Sequence, residues 1–252
     1  MDYRIVTDGS CDLPPELCRE KDIGVVPFYV SFGSEDYQKE IVDIPIRTFY
    51  DQMVADPTTF PKSSMPSVQD YVDVFKPIVA EGKAIICICI TTKFSGSYQS
   101  AMNAKEMLME SYPDARITVM DSTINTVLQG IFVLEAVRMY EAGLPYEKVI
   151  EELEAIKDTG RIFFTVGNID YLKHGGRIGK LAGLAGSMLG IRPLITMKEG
   201  EIFSSGLARS RRKSLEKVYE LLWQYLQEVH AKPDEYVICV GYGYDIEEGE
   251  AF

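Results

Sequence analysis

The sequence AIICICIT occupies Ala84–Thr91 and is apolar at nearly every position. A strand with one face in water alternates apolar and polar side chains, whereas a strand covered on both faces does not need to. The run therefore predicts a central strand of a parallel sheet that carries helices on both sides. Cys87 and Cys89 lie inside it, and we expect them to point to opposite faces as core residues rather than metal ligands.

Apolar runs and helical patterns alternate on both sides of this strand. The pattern predicts strands at Tyr3–Thr7, Val25–Phe32 and Ile117–Asp121, and helices at Pro14–Lys21, Ile46–Ala55, Val68–Glu81, Ser97–Tyr112, Leu128–Ala142 and Tyr146–Thr159. Strands that alternate with helices are typical of βαβ units. We therefore predict that residues 1–159 form an N-terminal α/β domain with a doubly wound parallel sheet.

Residues 160–252 have a different pattern. It predicts a strand at Arg161–Gly167, a helical turn at Ile169–His174 and an apolar helix at Leu181–Leu189. A hairpin at Arg192–Arg209, an amphipathic helix at Arg212–Glu228 and a buried strand at Glu235–Gly241 follow. A hairpin beside helices indicates a second, C-terminal α/β domain of the α+β type with a mixed sheet. The last residues read as the beginning of a helix, so we expect this domain to lack its last elements.

The composition excludes several classes of protein. The 252 residues are 46% hydrophobic and carry a net charge of −12, which opposes binding to DNA or RNA. No apolar run reaches the roughly 20 residues of a membrane-spanning helix, and the N-terminus lacks the features of a signal peptide. The five cysteines have no regular spacing, which favours a reducing compartment. We therefore expect a cytoplasmic protein without stable membrane insertion.

The segment TTKFSGSYQSA follows the apolar strand directly, at Thr91–Ala101. Ligands bind at the carboxyl ends of parallel strands, and the free N–H groups at a helix N-terminus attract anions. Gly96 would let a ligand approach the backbone closely, and Ser95 offers a hydroxyl. Capping of the helix by serine explains the same pattern, so both interpretations stay open.

A second hydroxyl-rich loop, PKSSMPS at Pro61–Ser67, also precedes a predicted helix. If the two loops converge, Ser63 and Ser64 add hydroxyls to a site for one carboxylate or phosphate. Taken alone, this loop is more simply explained as a helix cap.

Four charged residues are further candidates. Arg209 lies in the basic cluster ARSRRK, and a guanidinium fork suits a carboxylate or phosphate. Arg177 follows a Gly-Gly turn, and Asp8, with Asp12, could polarise a hydroxyl or bind Mg²⁺ at the end of the first strand. A surface position for the arginines and a turn or cap for Asp8 are the alternatives.

The motifs of nucleotide binding are missing from the sequence. It contains neither G-x-x-x-x-G-K-[ST] nor G-x-G-x-x-G, so we predict no cofactor and no nucleotide site. With only His174 and His230 available, we also predict no metal site. A hydrolase that uses Ser95 with His174 as base remains an alternative, although no G-x-S-x-G motif accompanies it. The pattern favours capture of an anion without catalytic residues.

Several segments, taken together and in order, resemble the DegV family of bacterial fatty-acid-binding proteins. They are TDGSCDL at Thr7–Leu13, similar to T-D-S-x-x-D-L; KSSMPS at Lys62–Ser67, similar to T-S-Q-P-S; SGSYQSA at Ser95–Ala101, similar to S-G-T-Y-Q-S-A; YLKHGGRI at Tyr171–Ile178, similar to Y-L-K-K-G-G-R-I; and IRP at Ile191–Pro193, similar to I-K-P. Gly9, Ser63 and Met65 stand where the family has Ser, Thr and Gln.

The resemblance implies two α/β domains with a long-chain fatty acid between them. It places the carboxylate at Ser63, Ser64 and Ser95, with Gly96 beside it and Arg209 nearby, and it makes Arg177 and Asp8 possible contacts of the head group or a partner. Family members usually continue into a Gly-rich segment with a His near the head group, which has no match here.

The resemblance also implies a role. Such a protein is the lipid-carrying subunit of a fatty-acid kinase and is not an enzyme by itself. It presents the carboxylate to a separate ATP-dependent kinase subunit, and the acyl phosphate enters phospholipid synthesis. A lipid carrier or sensor without a kinase partner is the alternative.

Overall fold

The computed structural model describes residues 2–33, 36–167, 169–179, 181, 190–232 and 234–252. The chain divides into two compact units, Met1–Thr159 and Gly160–Phe252. The first unit contains β1 (Tyr3–Asp8), a 3₁₀ turn (Gly9–Cys11), α1 (Pro15–Glu20), β2 (Gly24–Val26), β3 (Tyr29–Ser31), β4 (Gln38–Lys39), α2 (Ile46–Ala55), β5 (Lys62–Ser64), α3 (Val68–Ala80), β6 (Ala84–Cys89), α4 (Ser97–Ser111), β7 (Ile117–Asp121), α5 (Thr126–Glu141) and α6 (Tyr146–Ile156).

A four-stranded parallel sheet in the order β2-β1-β6-β7 forms the centre of the first unit. Every residue of β6 is fully buried, as predicted for a central strand. Ile86 and Ile88 pack in one apolar layer with α5 and α6, while Ile85 and Cys87 pack in another with α3 and α4. Helices thus cover both faces of the sheet, and the predicted doubly wound α/β fold is confirmed.

The expectation that Cys87 and Cys89 point to opposite faces is wrong. Side chains two positions apart in a strand share a face, and the two Sγ atoms lie 3.7 Å apart in the layer formed with α3 and α4. Both thiols are fully buried. Within the described part of the chain, no three or more His, Cys, Asp or Glu side chains are grouped so as to hold a metal ion.

A small second sheet in the first unit differs from the expected pattern. The predicted strand Val25–Phe32 is interrupted after β2, where Pro27 has no N–H to donate and the chain leaves the parallel sheet. β3 then pairs antiparallel with both β4 and β5. Residues Lys62–Ser64, expected in a loop, are therefore a strand that carries the two candidate hydroxyls.

The second unit contains β8 (Ile162–Thr165), α7 (Asp170–His174), β9 (Arg192–Lys198), β10 (Glu201–Ala208), α8 (Arg211–Glu228) and α9 (Ile246–Ala251). Its strands lie in the order β10-β9-β8, and both pairings are antiparallel, whereas the sequence predicts a mixed sheet. Glu199 and Gly200 join β9 to β10 with φ angles of 52° and 78°, as a tight hairpin turn requires. Helix α8 packs against all three strands.

The predicted buried strand Glu235–Gly241 is not formed. Val237, Ile238 and Val240 are 66%, 57% and 45% exposed, and no described strand pairs with this segment. A strand needs a neighbour for its backbone N–H and C=O groups, so an apolar pattern alone does not produce one. The predicted helix Leu181–Leu189 lies outside the described residues, apart from Leu181. Where helices are described, none is long and apolar enough to cross a bilayer.

Candidate functional site

The two hydroxyl-rich loops meet at Gly96. A Cβ atom at this position would lie 2.6 Å from Sδ and 3.3 Å from Cε of Met65, so the thioether packs directly against the glycine backbone. Met65 belongs to the loop between β5 and α3, and Gly96 to the loop between β6 and α4. The first unit therefore brings together the loops that the sequence analysis could only assume to converge.

The loop after β6 presents hydrogen-bond donors. The carbonyl of Thr91 accepts from the N–H groups of Phe94 and Ser95 at 3.0 and 3.3 Å. Ser95 Oγ accepts from Ser97 N at 3.2 Å, a local serine turn, while the N-cap of α4 is Gly96 and no side chain caps the helix. A hydroxyl that accepts a hydrogen bond keeps its own proton to donate. The N–H of Gly96 has no partner among the described residues and lies at the positive end of the α4 dipole.

Asp8 anchors this loop from inside the protein. It is fully buried and accepts hydrogen bonds from Gln129 Nε2 at 2.9 Å, Ile90 N at 3.0 Å and Ser97 Oγ at 2.7 Å. Burial raises the pKa of Asp8, and these hydrogen bonds only partly offset that rise. Ser97 Oγ also lies 2.7 Å from Tyr71 Oη. Asp8 thus fixes the loop, whereas the resemblance implies a contact with a head group or partner.

Ser63 and Ser64 lie on β5, and their side chains are exposed. Their backbones pair with Val30 and Tyr29 of β3. Successive residues of a strand point to opposite faces, so the two hydroxyls project to different sides of the small sheet. One head group can therefore meet only one of the two side-chain hydroxyls directly.

A capping box holds the loop that carries Met65. The Asp70 carboxylate accepts from Ser67 N at 2.9 Å and Ser67 Oγ at 2.6 Å, and Ser67 in turn accepts from Asp70 N. The same carboxylate accepts from Tyr29 Oη and Lys39 Nζ at 2.9 and 2.8 Å. Burial alone would raise the pKa of Asp70, but the bonds from Lys39, Ser67 and Tyr29 lower it to about 2. The small sheet, the loop and α3 are thereby tied together.

A cavity of about 140 Å³ beside the 3₁₀ turn was not predicted from the sequence. Apolar side chains such as Phe49 line it together with the carboxyl groups of Asp12 and Glu40. Although Asp12 borders open space, the surrounding protein desolvates it and, with the charge of Glu40, raises its pKa to about 7. A Cβ at Gly9 would lie 1.8 Å from Glu40 Oε1. Gly9, which replaces the Ser of the family motif, was thus the sequence signal for the close approach of Glu40 to this turn.

The basic candidates lie in the second unit. Arg209 is exposed and stands between β10 and Ser210, which caps α8 by accepting from Lys213 N at 3.2 Å. Its guanidinium forms no ion pair within the described ranges. Arg177 is exposed as well and donates to the carbonyl of Gly175. His174, the base of the alternative hydrolase, belongs to α7 of the same unit.

A four-stranded parallel sheet with helices on both faces and hydroxyl-bearing loops at the carboxyl ends of its strands defines a doubly wound α/β protein, the class in which ligands bind at that edge of the sheet. A family model described as an uncharacterised protein of the DegV family matches residues 2–252. The chain belongs to the DegV family. A DegV domain-containing protein of Clostridium perfringens is 31% identical over 239 residues, which are 95% of this chain and 83% of the relative.

Solved structures share the fold. A stearic-acid-binding protein from Eubacterium ventriosum has 47% identity and a TM-score of 0.95, over 99% of this chain and 84% of that one. A fatty-acid-binding DegV family protein from Thermus thermophilus has 30% identity and a TM-score of 0.80, over 90% and 79%. DegV of Bacillus subtilis, a fatty-acid-binding protein, has 26% identity and a TM-score of 0.78, over 90% and 79%.

Proposed function

We propose that this protein binds a long-chain fatty acid and presents its carboxylate to a separate ATP-dependent kinase subunit. The contact between Met65 and Gly96 carries the proposal, because it brings two loops rich in donors to one place. Further support comes from the relatives that are named for bound fatty acids. The head-group ligands in this proposal are Ser63 or Ser64, Ser95, the Gly96 N–H and Arg209.

The donors suit an ionised head group. A buried carboxylate is very costly unless hydrogen bonds and an opposite charge satisfy it. The hydroxyl of Ser95 and the N–H of Gly96 are neighbouring donors at the positive end of a helix dipole. Arg209 supplies a cation that no described carboxylate neutralises. Together they provide both hydrogen bonds and charge.

The acyl chain supplies most of the binding free energy. Burial is worth ~0.8 kcal/mol per CH₂, so a tail of about sixteen carbons gains roughly 12 kcal/mol before the costs of association. This gain explains why a fatty acid, rather than a short carboxylate, is the proposed ligand.

The phosphoryl transfer belongs to the partner in this proposal. The kinase moves the terminal phosphoryl group of ATP to a carboxylate oxygen of the presented fatty acid, and ADP leaves. The sequence of this chain has no phosphate-binding loop, which is consistent with the division of labour. The protein itself needs no cofactor.

Substitution of the donors tests the head-group site. We expect Ser95→Ala combined with Arg209→Ala to weaken stearate binding at least tenfold, because two of the groups that satisfy the carboxylate are lost. Binding is measured with radiolabelled stearate on delipidated protein. The matched control is Ser111→Ala combined with Arg19→Ala, two exposed residues of α4 and α1. Equal affinity in both double variants would refute the proposed site.

Presentation of the carboxylate to the kinase subunit can be tested separately, by detecting the acyl phosphate that it should produce. With ATP and a fatty-acid kinase subunit, hydroxylamine should trap the acyl phosphate as a hydroxamate, and without the subunit it should trap none. Binding without any hydroxamate in the complete mixture would favour a carrier or sensor.

A further inference from the structure

Met65 places an oxidisable sulfur at the head-group site. The residue is 46% exposed, so its side chain is open to an oxidant in solution. The same sulfur is the atom closest to the position of a Cβ at Gly96, at 2.6 Å. Gly96 carries an N–H without a partner in the described structure, and Ser95 next to it carries a hydroxyl proton. A chemical change at this sulfur therefore takes place beside the residues that carry the donors of the site.

We propose that Met65 is an oxidation site whose sulfoxide closes the head-group site to carboxylates. This inference rests on the proposed function. A peroxide transfers one oxygen atom to the thioether: the O–O bond breaks, an S–O bond forms, and sulfur loses two electrons. Hydrogen peroxide is thereby reduced to water, and a sulfoxide reductase can reverse the change.

The hydrogen-bonding capacity of the side chain explains the effect. A thioether is a weak acceptor and leaves the N–H of Gly96 and the hydroxyl of Ser95 available to a ligand. A sulfoxide oxygen accepts strongly and donates nothing. At this place it takes up the donors that a carboxylate needs, and it turns a partial negative charge towards the incoming anion.

The family residue at this position sharpens the argument. The family motif in the resemblance has Gln where this chain has Met65, and an amide has two donors of its own. A glutamine can therefore donate to a carboxylate, whereas a methionine sulfoxide can only compete with it. The direction of the hydrogen bonds that the side chain at this position can form therefore decides the outcome.

The chain contains suitable internal controls. Met107 and Met109 lie on α4 and are 52% and 38% exposed, close to the exposure of Met65. They will react with the same oxidant, but their positions are in the third turn of the helix or beyond, away from Gly96. Oxidation at these two residues alone should not alter ligand binding.

The experiment compares stearate binding before and after treatment with hydrogen peroxide. Delipidated protein is oxidised, peptide mass spectrometry locates each added oxygen, and the Kd for radiolabelled stearate is measured. We expect oxidation to weaken binding by the wild-type chain and by Met107→Leu at least tenfold, and methionine sulfoxide reductase to restore it. For Met65→Leu and Met65→Gln, the Kd after oxidation should remain within twofold of the Kd of the same variant before oxidation.

Three results would overturn the inference. Met65 could resist oxidation by the peroxide, the protein with oxidised Met65 could bind stearate with unchanged affinity, or oxidation could weaken stearate binding by Met65→Leu as much as binding by the wild-type chain. The untreated wild-type chain separates this inference from the proposed function. If the untreated chain binds no stearate, the proposed function is wrong, and the inference that rests on it is wrong as well. If it binds stearate and oxidation of Met65 has no effect, only the inference fails.

Discussion

Asp8 shows how a single buried residue shapes the candidate site. Its carboxylate accepts from Ile90, Ser97 and Gln129, which belong to three different segments of the first unit. Gln129 Oε1, in contrast, is buried without a hydrogen-bond partner. Three donors converge on the carboxylate of Asp8, so this acceptor is the group on which the arrangement depends.

Substitution of Asp8 should therefore depend strongly on the replacement. Asp8→Ala removes the acceptor that three buried donors share, and although Ser97 Oγ and Gln129 Nε2 keep Tyr71 Oη and Thr7 Oγ1 as neighbours, Ile90 N is left unpaired. We expect it to lower the free energy of unfolding by about 3 kcal/mol. Asp8→Asn keeps one oxygen, and its NH₂ can donate to Gln129 Oε1 if that amide rotates, so a loss of about 1 kcal/mol is expected. Urea unfolding at neutral pH measures both. Equal losses in the two variants would contradict this account.

At the scale of elements, the capping box of α3 is the joint between the small sheet and the loop with Met65. Asp70 accepts from Ser67, Tyr29 and Lys39 at once, so one carboxylate connects β3, β4 and α3. Only 8% of its side chain is exposed. The joint is therefore sensitive to protonation of this group.

Protonation of Asp70 at low pH should weaken the contacts that join the small sheet to α3. The pKa of Asp70 is about 2 in the folded chain against an ordinary value of 3.8. Its contribution to stability is therefore complete above about pH 4 and disappears as the pH falls towards 2. We expect a loss of about 2 kcal/mol over this range, measured by urea unfolding at stepped pH. The loss attributable to this group should vanish in Asp70→Asn and persist in the control Asp73→Asn, an exposed position of the same helix.

The elements also show how far the sequence could be interpreted. Strand β6 was predictable because a run that is apolar at every position has one simple explanation, burial on both faces. The three residues of β5 have no apolar period, and their pairing with β3 depends on tertiary structure. The segment Glu235–Gly241 has the right pattern for a strand but no described neighbour to pair with. Local pattern thus predicts burial better than it predicts pairing.

The candidate site was predictable to a similar extent. Helix-start signals made Ser95 and Gly96 candidates, the second hydroxyl-rich loop added Ser63 and Ser64, and the basic cluster added Arg209. The packing of Met65 against Gly96 joins residues about thirty positions apart in the chain and leaves no periodic signal. The opposite orientation of Ser63 and Ser64 became evident only when β5 was found to be a strand.

At the scale of the whole molecule, we expect the free energy of unfolding to depend on the proposed lipid ligand, because the chain consists of two compact units. A chain with two units need not unfold in a single step, and a ligand stabilises only the folded form that binds it. Stearate should therefore change the thermal unfolding of the protein even if no element changes its structure.

We expect stearate at a hundredfold excess over its Kd to add about 2.7 kcal/mol of stability. For a protein of this size the gain corresponds to a rise in Tm of about 5–10 °C. Differential scanning calorimetry of delipidated protein with and without stearate measures the shift. Stearyl alcohol, which has the same chain and no carboxylate, is the matched ligand and should raise the Tm much less.

The complete burial of β6 between β1 and β7 has a consequence for measurement. Amide protons in a strand that is covered on both faces and paired on both edges exchange with deuterium only when the whole unit opens. The amides of Ile86 and Ile88 should therefore be among the slowest in the chain, and their exchange rate should report the global stability of the first unit. Amides of the loop at Ser95 should exchange through local opening, so one deuterium experiment separates tightening of the site from stabilisation of the fold.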